Sequence, residues 1–167
     1  LVRKITFTGS TEVGRTLLEQ SAATIKKCSM ELGGNAPSIV FDDADLNLAV
    51  DGVIASKFRN TGQACISANR IYVQDGIYDE FAKCLAEKVM TLKVGNGLED
   101  GVVQGPLIDA NAVAKVESHI SNALENGAKV LCGGQASALG GFFFEPTVLT
   151  DVTKNMLIAH DETFGPV

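Results

Sequence analysis

Three short stretches of this 167-residue chain combine residue types that can bind or react. In FRNTGQACISANR, residues 58–70, Cys65 follows Gly62-Gln63-Ala64 and stands between Arg59 and Arg70. A cysteine attacks as its thiolate, which adjacent positive charge or helix N-terminal amides favour. A helix starting here, with either arginine in reach, would make Cys65 a nucleophile; the alternative is the small buried hydrophobe that most free cysteines are. Cys28, Cys84 and Cys132 lie in apolar strand or helix patterns and read as core. In MELGGN, Glu31 precedes a glycine pair. Held in a cleft with a raised pKa, such a carboxylate can take a proton from water; left exposed, it is an ordinary surface charge. In GSTEVG, Gly9 and Ser10 join strand-like to helix-like sequence. Free N–H groups and the helix dipole favour an anion there, such as a dinucleotide pyrophosphate. The pattern is GxTxxG, with Thr11 where the dinucleotide fingerprint has glycine, so a plain helix start capped by Ser10 or Thr11 competes with it.

Regular elements must position these residues. Lys4–Thr8 reads as a buried strand, Thr11 to about Ala23 as a helix and Ile25–Leu32 as a second strand. Gly33-Gly34 suits a hinge or domain crossing. Beyond it, Pro37 opens the strand-like run SIVF, and Asp45 can cap a helix whose Leu46, Ala49, Val50, Val53, Ile54 and Phe58 follow helical spacing. Arg70–Gln74 reads as a strand and Tyr78–Leu92 as an amphipathic helix. A turn-rich run leads to a helix from about Asn111 to Asn126, stopped by Gly127. The strand-like segments AKVLC and FFFEPTVLT follow. Strands alternating with helices argue for an α/β fold with a mainly parallel sheet.

Composition narrows the classes of function. A net charge of −6 without a dense Lys/Arg cluster argues against a nucleic-acid partner, because phosphate neutralisation needs a basic face. The apolar runs SIVF and GGFFF are far shorter than the roughly 20 residues of a membrane helix, so no membrane partner is expected. The four cysteines lack metal-site or CxxC spacing, so no metal is expected. Reduced thiols in a cytoplasmic compartment are the simplest reading. His119 and His160 read as surface or satisfied core histidines. The chain opens on strand-like sequence without Met and closes on FGPV, and it reads as a piece of something longer.

Taken in order, FTGSTEVG, ELGGNAP, FRNTGQAC and ETFGP (Glu162 to Pro166) resemble the aldehyde dehydrogenase superfamily, and the text around them looks closest to its succinate-semialdehyde branch. The resemblance covers the whole chain. It implies an aldehyde dehydrogenase-like α/β fold in which residues 1–32 end a Rossmann-type NAD(P)-binding domain and residues 33–167 form most of an α/β catalytic domain. Cys65 would be the nucleophile, its backbone N–H half of the oxyanion hole, and Glu31 the general base. Gly9 and Ser10 would lie against the pyrophosphate of NAD or NADP, Thr8 and the Leu32 carbonyl beside the nicotinamide, and Glu162 on its ribose with Phe164 nearby. Arg59 would hold a distal substrate carboxylate, a task suited to a planar guanidinium. The implied substrate is a small aldehyde acid, most simply succinate semialdehyde. Lactaldehyde, glycolaldehyde, glutarate semialdehyde or a broad aliphatic range are alternatives within the fold, and a non-catalytic interaction module is the alternative outside it. The family also implies a homodimer or homotetramer, in the cytoplasm or, in a eukaryote, the mitochondrial matrix. Some members of the branch carry a second cysteine two residues after the nucleophile; here that position is Ser67, so a disulfide switch at that place is not expected.

Overall fold

The computed structural model describes residues 2–167, and its contacts divide them into a first unit ending at Gly34 and a second spanning Asn35–Val167. Leu1, where the expected cofactor-domain segment begins, lies outside the described residues.

The first unit is a single βαβ turn: β1 (Lys4–Thr8), α1 (Thr11–Ala22) and β2 (Lys27–Glu31), with the strands parallel and Thr8 opposite Glu31. Ser10 caps α1, its Oγ accepting the Val13 N–H at 3.3 Å. The second strand begins two residues later than expected. The Thr24 and Lys26 amides turn back to the Ser21 carbonyl and the Ile25 amide to that of Ala22, so the helix end consumes the start of the segment.

The second unit opens on a parallel pair, β3 (Ala36–Val40) and β4 (Ala68–Val73), joined through α2 (Leu46–Lys57). Pro37 has no N–H to give the ladder, and the register shifts between Ala36 and Pro37. Asp45 caps α2, its Oδ1 accepting the Leu48 N–H at 3.0 Å. Replacing Asp45 with alanine should lower stability by about 1 kcal/mol, read from the urea midpoint, and Asp45→Asn should restore most of the loss. One core joins β3, α2 and the helix α3 (Tyr78–Val89) through Val40, Val53, Phe58, Phe81 and Val89. A second gathers Leu107, Phe144, Met156 and Ile158 around the helix α4 (Ala110–Glu125), which Asp109 caps and Gly127, at φ 100°, ends. The strands β5 (Lys129–Cys132) and β6 (Val148–Thr150) pair antiparallel, and a short helix α5 (Leu157–His160) follows.

The expected α/β class is found and the pairing is mainly parallel, but among the described residues it is divided into three two-stranded pairs, two parallel and one antiparallel. The segment FFFEPTVLT is a strand only over Val148–Thr150. Pro146 has no amide to donate, and the neighbouring amides go elsewhere, Glu145 N–H to the Gln135 carbonyl and Thr147 N–H to that of Pro166. No helix among the described residues is long and apolar enough to cross a membrane, and no group of three metal-ligating side chains occurs among them.

Candidate active site

Within the first unit, β1 and β2 bring the expected cofactor residues together. Thr8 pairs with Glu31 across the strands, and the Gly9 N–H donates to the Glu31 carbonyl at 3.0 Å. A Cβ on Gly9 would stand 2.5 Å from the Phe7 ring, so the turn needs glycine for space. The GxTxxG pattern also becomes intelligible. Its last glycine, Gly14, is buried in the first turn of α1, where a Cβ would come within 2.6 Å of the Leu32 side chain. That glycine permits close helix–strand packing, the role of the third glycine in dinucleotide sites. The N–H groups of Thr11 and Glu12 have no acceptor inside the helix. A turn of small residues with such donors fits a dinucleotide phosphate. Glu31 is exposed at the end of β2.

Within the second unit, Cys65 is exposed, and it lies in a turn between residues 58–63 and β4. The expected helix start is not there, so a helix dipole does not act on its thiol. Arg70 is engaged elsewhere: its Nη2 and Nε donate to the Asn35 carbonyl at 2.6 and 2.9 Å while the guanidinium lies over Tyr72. The other flanking arginine, Arg59, is exposed and makes no side-chain hydrogen bond or ion pair among the described residues. A local salt bridge, the ordinary use of such an arginine, is thus not what it serves.

What shapes the cysteine turn is backbone strain held from outside. Asn60, Thr61 and Gly62 are consecutive left-handed residues, at φ 52°, 57° and 72°. Left-handed geometry is unfavourable for the β-branched Thr61 and persists only where surrounding contacts over-determine it. Here they do. The Thr61 hydroxyl donates to the Gly105 carbonyl at 3.2 Å, and Gln63 straps the turn to residues 106–108, its Nε2 donating to the Pro106 carbonyl and its Oε1 accepting the Ile108 N–H at 2.9 Å. Gln104, itself buried, donates to the Phe58 carbonyl at 2.8 Å. The Cys65 N–H donates to no acceptor among the described residues.

The ETFGP segment packs against this turn. A Cβ on Gly62 would fall 2.1 Å from the Gly165 carbonyl oxygen. Thr163 is buried and its hydroxyl meets His119 Nδ1 at 3.1 Å, which makes His119 a satisfied core histidine. Burial lowers the His119 pKa, and the charges of Lys115 and Lys57 lower it further while Asp161 opposes them. Phe164 is left-handed at φ 53° and exposed; Glu162 is half-buried. Lys57, at the end of α2, is only 3% exposed, and its Nζ donates to Asn69 Oδ1 at 2.6 Å. Burial pushes its ammonium down to about 7, against the pull of the Glu162 carboxylate. A cavity of about 420 Å³ among β4, α3 and β6 reaches Lys57 but not Cys65. Of the other thiols, Cys28 and Cys84 are half-buried and Cys132 is buried, its pKa raised by that burial.

The sequence reading had not singled out Lys57, Gln63 or Gln104. A signal existed for the first: with Val50 and Val53 it completes the apolar stripe of α2 at helical spacing, where a lysine is out of place. None distinguishes the glutamines, whose partners are distant in sequence.

A βαβ turn with a phosphate-compatible helix start, followed by a cysteine on an over-determined turn, agrees with what comparison finds. The chain belongs to the aldehyde dehydrogenase family, whose pattern it matches over residues 1–167. It is 67% identical to a 3-sulfolactaldehyde dehydrogenase of Pseudomonas putida, across all of this chain and 34% of that protein. It is 63% identical to the NADP(+) succinate-semialdehyde dehydrogenase of Escherichia coli, across all of this chain and 35% of the relative. The crystal structure of the succinate-semialdehyde dehydrogenase from Burkholderia pseudomallei superposes with a TM-score of 0.97 at 60% identity, over 99% of this chain and 34% of that one. The chain thus spans about a third of the length of these relatives.

Proposed function

We propose that the protein containing this chain oxidises a small aldehyde bearing a distal anion, most simply succinate semialdehyde to succinate, with NAD or NADP. The observation that carries this reading is the family match along every residue of the chain, with relatives above 60% identity named for such substrates. In this reading residues 1–32 end the cofactor domain and residues 33–167 belong to the catalytic domain.

The Cys65 thiolate adds to the aldehyde carbon, and the Cys65 N–H, which has no acceptor among the described residues, holds the oxyanion that forms. A bound nicotinamide cofactor would supply the acceptor for the hydride that leaves the carbon, and Cys65 would then carry a thioester. Glu31 takes a proton from water, whose oxygen attacks that thioester, and the Cys65 thiolate departs as the acid forms. Gly9 and Ser10 would hold the pyrophosphate at the start of α1, Thr8 and the Leu32 carbonyl would border the nicotinamide, and Glu162 would bind its ribose beside Phe164. The oligomer, a dimer or tetramer, and a cytoplasmic or mitochondrial location belong to the same family reading.

Arg59 is the proposed clamp for the distal anion, and its lack of a protein partner supports that role. In the full-length enzyme Arg59→Ala should raise KM for succinate semialdehyde by about 30- to 100-fold, as expected for a lost charged hydrogen-bonded pair, and leave an uncharged aldehyde nearly unaffected. Equal effects on both substrates would sink the clamp. A second reading places a sulfonate where the carboxylate would sit, favoured by the identity to the Pseudomonas putida relative. Wild-type kcat/KM for succinate semialdehyde, glutarate semialdehyde and 3-sulfolactaldehyde separates the two.

A further inference from the structure

We infer that Gln63 is a positioning residue for the reaction at Cys65: its carboxamide clamps the cysteine turn to residues 106–108 and so fixes the direction of the Cys65 N–H. The inference rests on the reading above that Cys65 is the nucleophile and its N–H the oxyanion donor. The carboxamide is used at both ends. Its Oε1 accepts the Ile108 N–H at 2.9 Å, and its Nε2 donates to the Pro106 carbonyl at 3.2 Å and to the Asn60 carbonyl at 3.3 Å. One neutral group thus ties a donor and an acceptor of a segment distant in sequence to the first residue of the left-handed run. An amide suits this task because it carries both functions on one plane.

From the clamp, the constraint passes along the backbone to the cysteine. The Gln63 N–H donates to the Asn60 carbonyl at 3.1 Å and the Gln63 carbonyl accepts from Asn60 Nδ2 at 2.9 Å, so both main-chain groups of the clamped residue are held. The next carbonyl, that of Ala64, accepts the Ser67 N–H at 3.0 Å. A peptide unit is planar and trans, so a held Ala64 carbonyl sets the Cys65 N–H of the same unit on the opposite side. Thr61 and Gln104 also brace the turn, but they act at Thr61 itself and at the Phe58 carbonyl, farther from the cysteine along the chain. Gln63, two residues before Cys65, is the last side-chain tie to residues 104–108 ahead of the reacting group. Of the titratable groups on the two joined segments, Arg59 and Cys65 lie on the turn, and Asp109, engaged by the Ala112 N–H, follows Ile108.

The test uses the full-length enzyme. Gln63→Met keeps the length of the side chain and removes its hydrogen bonds. Its kcat/KM for succinate semialdehyde should fall by about 100-fold, the size expected when a reacting group is misplaced by about 1 Å. Kd for NADH, read by the fluorescence of the reduced nicotinamide, should stay within about twofold. Iodoacetamide should alkylate Cys65 within about threefold of the wild-type rate and leave the buried Cys132 unlabelled, a pattern that general loosening would not produce. Gln63→Glu gives a second, independent signature. Its carboxylate sets an acceptor against the Pro106 and Asn60 carbonyls, and only the protonated acid can donate to one of them. Those two oxygens hold the introduced acid above the ordinary carboxyl pKa of about 4.3. The ratio of its kcat/KM to that of the wild type should therefore fall about tenfold from about pH 5.5 to about pH 8. A ratio flat with pH overturns the proposal, and so does wild-type kcat/KM in Gln63→Met or labelling of Cys132 in step with the loss. Cys65→Ala separates the two readings. Activity kept there removes Cys65 as the nucleophile, while activity lost there and kept in Gln63→Met removes only the role of Gln63.

Discussion

If the proposed reaction holds, alanine at Cys65 should reduce aldehyde oxidation by the full-length enzyme by more than about ten-thousandfold and leave dinucleotide binding intact. The size follows from the kind of step lost: without sulfur there is no covalent adduct from which hydride can depart, and positioning alone cannot replace it. Binding survives because the proposed cofactor contacts lie on other residues, in the β1–α1 turn and the ETFGP segment. Alkylation provides an independent measurement. Cys65 is the exposed thiol, while Cys132 is buried and its thiolate disfavoured, so limited iodoacetamide should add one group, at Cys65, by peptide mass mapping. Cofactor or aldehyde should slow that reaction. An idle, non-catalytic module predicts labelling at an unchanged rate and no loss of activity in the alanine variant.

The same substitution at two glycines should have opposite effects. Gly62→Ala forces a side chain onto a φ of 72° and sets its Cβ 2.1 Å from one backbone oxygen and 2.7 Å from its carbon, both of Gly165. Neither backbone can yield cheaply, because Thr61 and Gln63 tie down one and the buried Thr163 and Pro166 the other. A loss of about 3–5 kcal/mol is expected, with activity falling in parallel as the cysteine turn is displaced. Gly52→Ala, inside α2, meets nothing within 4 Å among the described residues. It should stabilise by about 0.5–1 kcal/mol through helix propensity and a less flexible unfolded chain. Urea unfolding of both variants checks the pair. Equal shifts would mean that the close approach of Gly62 and Gly165 is not what requires a glycine there.

Much of the frame was readable because its signals are local. The strand at Lys4–Thr8, the Asp45 cap and the stop at Gly127 each depend on residues within a few positions, and each is present, although the strand alternates exposed and half-buried residues where burial was expected. The family motifs were likewise contiguous. The cysteine turn was misjudged for the opposite reason. Nothing in Asn60-Thr61 announces left-handed backbone, since the conformation is imposed by residues 104–108 and by Gly165, and Thr61 by itself prefers something else. FFFEPTVLT looked like one strand because alternation and aromatic content are local, while its amides are claimed by Gln135 and Pro166. Lys57 was passed over because burial of a charge depends on partners that spacing cannot display.

Every anchor of the strained turn comes from further along the chain: Gln104, Gly105, Pro106 and Ile108 first, Gly165 last. Contacts between distant residues carry a loop-closure cost and form late when the strands between them must also be placed. The left-handed run therefore has only its local bonds, such as Asn60 Nδ2 to the Gln63 carbonyl, to hold it in a chain still emerging from the ribosome. The Cys65 N–H, the proposed oxyanion donor, gains its full set of long-range supports only when the ETFGP segment docks. Maturation of the proposed nucleophile is thus coupled to completion of this unit, and a nascent or truncated chain lacking Gly165 would carry the thiol without the contact that Gly165 makes with Gly62.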